Sequence, residues 1–180
     1  MSSAALFTAL VLATGLERLA ELVVSTRNAR WSFARGGVET GRGHFGPMVV
    51  LHTGLLVACL AEVALADRPF LPALGWPMLA LALLSQVLRW WCIASLGRRW
   101  NTRVIVVPGL PPVTRGPYRF LKHPNYVVVV LEGFALPLVH SCWVTAAAFS
   151  VLNAVLLLGF RLPAENRALA SLPPATRTAA

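Results

Sequence analysis

Long apolar runs constrain this chain more than any other feature. The stretches from about Ala4 to Ser25, Phe45 to Ala66 and Leu71 to Leu96 carry few charges. A bilayer core of about 30 Å needs about 20 such residues in a helix that rises about 1.5 Å per residue. A fourth run, from about Asn125 to Phe160, would reach roughly 50 Å as one helix. Pro137 followed by His140-Ser141-Cys142 divides it, since proline ends a helix and polar residues make the turn. The expected fold is all-α: a polytopic integral membrane protein of about five transmembrane helices, closing in a C-terminal helical hairpin.

Composition supports a lipid-facing surface. Charged residues are only 13% of the 180 while hydrophobic ones are 57%, against about 25% charged in soluble domains. The net charge of +9 does not mark a nucleic-acid binder, because the basic residues sit between the apolar runs rather than on one face of a soluble fold. No Lys or Arg precedes Arg18, and no small-residue cleavage pattern follows the first apolar run, so a retained helix is expected rather than a signal peptide. Cys59, Cys92 and Cys142 lie in or beside apolar stretches without CxxC or Cys/His spacing. Neither a disulfide framework nor a metal site is expected.

Orientation follows from the basic residues. Arg27, Arg30, Arg35 and Arg42 fill the first connection, and Arg98, Arg99, Arg103, Arg115, Arg119 and Lys122 the third. Arg161, Arg167 and Arg177 follow the last helix, whereas the second connection holds only Arg68. Five spans put all three groups on the cytoplasmic side, with the N-terminus outside and the C-terminus inside. The chain reads as one membrane-embedded domain over residues 1–170, its catalytic part at 97–169, and a small, polar tail from Ser171 to Ala180 expected to be flexible. Within the third connection, Asn101 to Pro108 is β-branched and extended in character. Long punctuated loops of that kind are usually functional.

Ionisable residues inside apolar helices face a protein interior or a cavity. Glu17, Arg18 and Glu21 share the first helix, and pairing with Arg89 on the third would satisfy them. Glu62 lies near the end of the second helix, where it is expected to reach water. Glu132 has apolar neighbours on both sides and is either a site residue or a structural hydrogen-bond partner. The most informative segment is Gly116 to Tyr126, in which His123-Pro124-Asn125-Tyr126 opens an apolar helix. Pro124 suits a first helical turn, and a helix start favours a carboxylate. Arg161 and Glu165 share a helical face after the last run.

Together, Tyr118, His123-Pro124-Asn125-Tyr126 and Arg161 with Glu165 resemble the isoprenylcysteine carboxyl methyltransferase family, mainly over Gly97 to Leu169. Members of that family use S-adenosylmethionine without a Rossmann domain. The resemblance implies a cytoplasmic cofactor pocket in which Leu110, Pro111, Pro112, Val113, Tyr118, His123, Pro124, Asn125, Tyr126 and Glu165 hold S-adenosylmethionine. It implies that Arg161 and Glu165 are catalytic, with Arg161 facing the acceptor. One departure stands out: Asn166 replaces a second acid found in many members. Glu17 to Glu21, Ser25 to Asn28, Gly41 to Phe45, Leu51-His52-Thr53 and Arg99 to Val104 look like bacterial members, some of which methylate hydroxyls of alkylpyrones or alkylresorcinols.

The implied activity is O-methylation of a lipophilic small molecule in the bilayer, at a bacterial plasma membrane. The alternative acceptor is a prenylcysteine-like or lipid-linked carboxylate. A carboxylate needs no base, whereas a phenol or enol must lose a proton to His123, Glu165 or Glu132. A non-catalytic subunit or transporter is the reading of another class, but broken helices and a repeat between halves are not visible. The acceptor and the oligomeric state are not legible.

Overall fold

The computed structural model describes residues 2–173; Arg177 and residues 174–180 of the expected tail lie outside the described residues. In chain order it contains α1 (Ser3–Phe33), β1 (Val38–Thr40), α2 (Phe45–Leu65), α3 (Pro72–Leu96), β2 (Val104–Val106), α4 (Pro124–Leu138), α5 (Trp143–Leu156) and α6 (Leu162–Ala170). Helices α2 and α3 match the expected apolar runs to within a residue.

Helix α1 runs past Ser25 to Phe33, 31 residues in all and about 46 Å long. Nothing between Ser25 and Phe33 breaks a helix; Gly36 and Gly37 come only afterwards. The fall in hydropathy at Thr26 therefore marks a change of surroundings, not the end of the helix, and Arg27 and Arg30 ride on α1 rather than in a loop. The last apolar run also continues as helix beyond Phe160. A π turn at Leu157–Arg161 joins α5 to α6, so Arg161 lies on a π-helical turn, a distortion found frequently at functional sites.

Among the described residues, three helical stretches have the length and apolar character to cross a membrane: Arg42–Leu65, Pro72–Arg99 and Trp143–Ala170. Helix α4, with 15 residues, reaches only about 22 Å. Helix α1 is long enough but carries Glu17, Arg18 and Glu21. The expected hairpin is present: α4 ends at Leu138, Ser141 turns the chain with φ +55°, and α5 begins at Trp143. A Cβ on Gly133 would collide with the ring of Phe149, which is how closely the two hairpin helices pack.

Phe7, Val11, Leu55, Cys59, Leu136, Val139, Cys142 and Phe149 form a buried core drawn from α1, α2 and the hairpin. Outside it, Leu16, Val50, Val57, Leu84, Val151 and Leu158 are exposed. An apolar exterior of this extent suits lipid rather than water. All three cysteines are free and buried.

The buried charges close on one another. Arg18 donates to Glu21 Oε1 and Oε2 (2.9 and 2.8 Å) and to Glu132 Oε1 (3.1 Å). Arg89 pairs with Glu132 Oε2 and lies 3.7 Å from Glu21 Oε1. Gln86 accepts from both arginines and donates to Glu17. The network ties α1 to α3 and α4, and it makes Glu132 a structural partner. Glu62, expected to reach water, is half-buried and engaged: it accepts from Thr145 N (2.8 Å), Thr145 Oγ1 (2.7 Å) and Val144 N (3.3 Å), capping the start of α5, where free N–H groups need an acceptor.

Candidate active site

The extended segment after α3 is held from two sides. Strand β2 pairs antiparallel with β1, with Glu39 opposite Ile105. From the other side, Asn28 on α1 donates to Trp100 O (2.8 Å). Ser25 one turn earlier donates to Asn101 Oδ1 (2.7 Å) and accepts from Thr102 N (3.0 Å). Ser25 and Asn28 lie three residues apart on one helical face, so α1 presents a polar patch where the loop crosses it. Thr102 O in turn accepts from Arg161 Nη2 (2.9 Å), which carries the restraint to the π turn.

Beyond β2 the chain passes through Leu110-Pro111-Pro112-Val113. Arg99 Nη1 anchors this turn on Pro111 O (2.6 Å), and Arg115 Nε anchors the next on Ser95 O (3.0 Å). Gly116 adopts φ +59°, and a Cβ there would strike the Ser95 hydroxyl; only glycine fits both conditions. A short 3-10 turn then presents Tyr118, whose hydroxyl burial pushes above its ordinary range.

At the start of α4, His123 donates through Nδ1 to Glu165 Oε1 (3.0 Å) and through Nε2 to Asn166 Oδ1 (3.0 Å). The Tyr126 hydroxyl donates to Glu165 Oε2, and its ring stacks on the imidazole at 5.6 Å between centroids. The Glu165 hydrogen bond holds the His123 imidazole above its ordinary range, against the opposing effect of burial. With an acceptor at each ring nitrogen, the protonated form is the one that fits. Asn166, in the place of the second acid of the resemblance, supplies that second acceptor without adding a negative charge.

These residues surround a cavity of about 580 Å³, within the range of small-molecule sites. Leu110, Pro111, Pro112, Val113, Tyr118, His123, Asn125, Tyr126, Arg161 and Glu165 all line it. Pro124 does not; its ring is fully buried in the first turn of α4, where it shapes the helix start instead of meeting a ligand. Tyr126 N–H is likewise spent on His123 O (3.1 Å), so that part of the helix start offers no free donor.

A second cavity of about 130 Å³ lies beside the first, walled by apolar residues including Leu22, Val49, Leu56, Val129 and Leu157. Trp100, Asn101, Asn125, Tyr126 and Arg161 line both cavities. Four of these shared residues carry a buried polar atom without a partner among the described residues: Trp100 Nε1, Asn101 Nδ2, Asn125 Oδ1 and Arg161 Nε. Buried polar atoms are rarely left unpaired, and these four leave the boundary between the cavities with hydrogen-bonding groups free to meet water or a ligand. In the sequence Trp100 and Asn101 stood out only within the Arg99 to Val104 likeness to bacterial members, without a site role. The small polar pair Ser25 and Asn28 on one face of α1 was the signal that this loop is docked.

A family model described as isoprenylcysteine carboxyl methyltransferase (ICMT) family matches residues 78–171. The chain belongs to that family. The matched region runs from within α3 through α6 and so takes in the loop, the His123 motif and the Arg161–Glu165 segment, while α1 and α2 lie outside it. The chain is also 39% identical over 155 residues to the Bacillus subtilis (strain 168) protein named "Uncharacterized protein YpbQ", covering 86% of this chain and 90% of that one. That relative matches beyond the region of the family model. No solved structure matches. Membership in the ICMT family makes this a membrane methyltransferase.

Proposed function

We propose that this ICMT-family protein is an S-adenosylmethionine-dependent O-methyltransferase whose acceptor is a lipophilic hydroxyl compound of the alkylpyrone or alkylresorcinol kind. The observation that carries the reading is the pair of cavities meeting at Trp100, Asn101, Asn125 and Arg161. A group-transfer enzyme needs a polar donor and a greasy acceptor held end to end, and adjoining cavities of unequal polarity supply that arrangement.

The residues present fit the donor. The larger cavity has room for a nucleoside joined to an amino acid, and the unpaired Asn125 Oδ1, Asn101 Nδ2 and Trp100 Nε1 offer one acceptor and two donors for it. When bound, S-adenosylmethionine supplies an electrophilic methyl group on a sulfonium centre. Glu165 brings a carboxylate to the wall of the larger cavity, and His123 with Tyr126 fixes it there. Arg161, 6% exposed, sits at the junction where charge on the acceptor oxygen is neutralised. The apolar walls of the second cavity exclude water from the line of transfer.

Basic residues around the larger cavity, among them Arg99, Arg103, Arg119 and Lys122, support a cytoplasmic mouth in a bacterial plasma membrane with the C-terminus inside. A carboxylate acceptor is the second reading, favoured by the unpaired Arg161 Nε, which suits a charge-assisted bond to a carboxylate.

The test is methyl transfer from labelled S-adenosylmethionine by detergent-solubilised protein to an alkylresorcinol, an alkylpyrone and a prenylated cysteine. The expected product is an ether that survives alkali. An alkali-labile methyl ester formed only on the prenylated cysteine overturns the hydroxyl reading, and failure to bind S-adenosylmethionine overturns the donor.

A further inference from the structure

We propose that the second cavity seats the hydroxylated ring of the acceptor and that His52, on α2, is the base that takes its proton. The inference rests on the O-methyltransfer reading above and names the site and the group that reading leaves open.

An aromatic or enolic hydroxyl must be deprotonated as it attacks, and the three groups first considered for that task are all engaged. His123 has Glu165 and Asn166 on its two nitrogens. Glu165 holds His123 and Tyr126 on its two oxygens. Glu132 is paired with Arg18 and Arg89. Around the second cavity the titratable and charged side chains are Arg18 and Glu21 on α1, His52 on α2, Arg89 on α3, Tyr126 on α4 and Arg161 on the π turn. Glu21 is tied by both arginines, and Tyr126 donates to Glu165. Only His52 remains.

Its geometry suits the role. His52 Nδ1 lies 2.8 Å from Met48 O, and because a carbonyl can only accept, Nδ1 carries the hydrogen. In the neutral ring Nε2 then holds a lone pair, and it has no partner among the described residues. The ring is steadied edge-on by Phe149 at 5.4 Å. A carbonyl-anchored Nδ1–H that leaves Nε2 free is the arrangement a general base requires.

Size and lining indicate the acceptor. A cavity of about 130 Å³ holds about one six-membered ring, since a cavity of roughly 150 Å³ binds benzene. Exposed Thr53 also lines it, so the cavity reaches the apolar exterior, where an alkyl tail on the ring finds lipid. In the step itself the acceptor oxygen bonds to the methyl carbon, and the carbon–sulfur bond breaks with its electron pair going to sulfur. The hydroxyl proton passes to His52 Nε2 and then to water. Arg161 Nε faces the oxygen while it is negative.

The experiment compares wild type with His52→Asn, whose amide still reaches the Met48 carbonyl, and with His52→Phe, which keeps the ring. The acceptors are para-nonylphenol and its ortho-nitro derivative, at a pH where only the latter is already ionised. Donor binding by calorimetry is expected to be unchanged in both variants. Transfer to the plain phenol should fall about 10²- to 10⁴-fold, and transfer to the ionised one should fall far less. Without any donor, and at a pH near the probe's own pKa, the nitro probe bound to wild type should show a phenolate-to-phenol ratio about tenfold larger than when bound to His52→Asn, a shift of about one pKa unit. Equal losses on both phenols, with no difference in phenolate absorbance, would overturn His52 as the base while leaving methyl transfer standing. If wild type binds the donor but neither phenol, the hydroxyl reading fails, and this inference with it.

Discussion

His123 Nδ1 and Glu165 Oε1 stand 3.0 Å apart across 42 positions of sequence, and that contact is what draws the loop before α4 and the helix after α5 into one site. Breaking it from either side should be read first in donor affinity. A hydrogen bond to a charged group contributes about 1.5–3 kcal/mol, so His123→Ala and Glu165→Gln should each weaken S-adenosylmethionine binding roughly 10- to 100-fold. Calorimetry in detergent reads this directly, and unchanged affinity in both variants would remove the pair from the donor site.

The same contact makes the site pH-dependent. Glu165 raises the His123 pKa above its ordinary value, which is about 6.5. A raised folded-state pKa means that the stabilisation is fully present below the unfolded value and is lost as pH rises through the folded one. Thermal stability of the wild type should therefore decline above neutrality relative to His123→Gln, which lacks this titration. Replacing Asn166 by Asp should carry the decline to higher pH, because a second carboxylate favours the imidazolium further. Unfolding midpoints across a pH series would detect both effects.

The buried network of Arg18, Glu21, Arg89 and Glu132 should matter to folding more than to chemistry. Removing one partner leaves an uncompensated buried charge, at a cost of about 3–5 kcal/mol. Glu132→Ala should lower the unfolding temperature sharply, and adding Arg89→Met should recover part of the loss. A double variant no better than the sum of its singles would argue against direct coupling.

Gly116 offers a test confined to the loop. Alanine there would have to adopt φ +59° and displace the Ser95 hydroxyl, a strain of about 1–3 kcal/mol. Gly116→Ala should reduce donor affinity while helical content by circular dichroism stays at the wild-type level. Full affinity in this variant would mean that the Tyr118 turn does not shape the cavity.

Much of the architecture was legible in the chain because hydropathy is a local property. The bounds of α2 and α3 and the hairpin turn at Ser141 follow from apolar runs and a proline. Helix ends were legible only where a breaker coincided with the change in hydropathy. At Ser25 and Phe160 the apolar character fades while the backbone hydrogen bonding continues, so α1 and the α5–α6 rod run longer than composition indicates. The His123, Tyr126, Arg161 and Glu165 constellation was legible as a pattern of residue types, and its convergence on one cavity is a matter of distance that no spacing along the chain contains.

Three features belong to tertiary structure alone. Pro124 turned out to be packing rather than lining, because only the direction of a ring distinguishes the two. Glu132 became a structural partner because Arg18 and Arg89 arrive from other helices. His52 emerged as a candidate base because its competitors are engaged by residues far away in sequence while its own Nε2 is left free. The sequence by itself determined that this chain would be helical, lipid-facing and equipped with the motif residues, since those properties reside in single residues and their neighbours. Which polar groups are paired off and which remain available to a ligand was decided by the fold, since a hydrogen bond depends on where both partners end up.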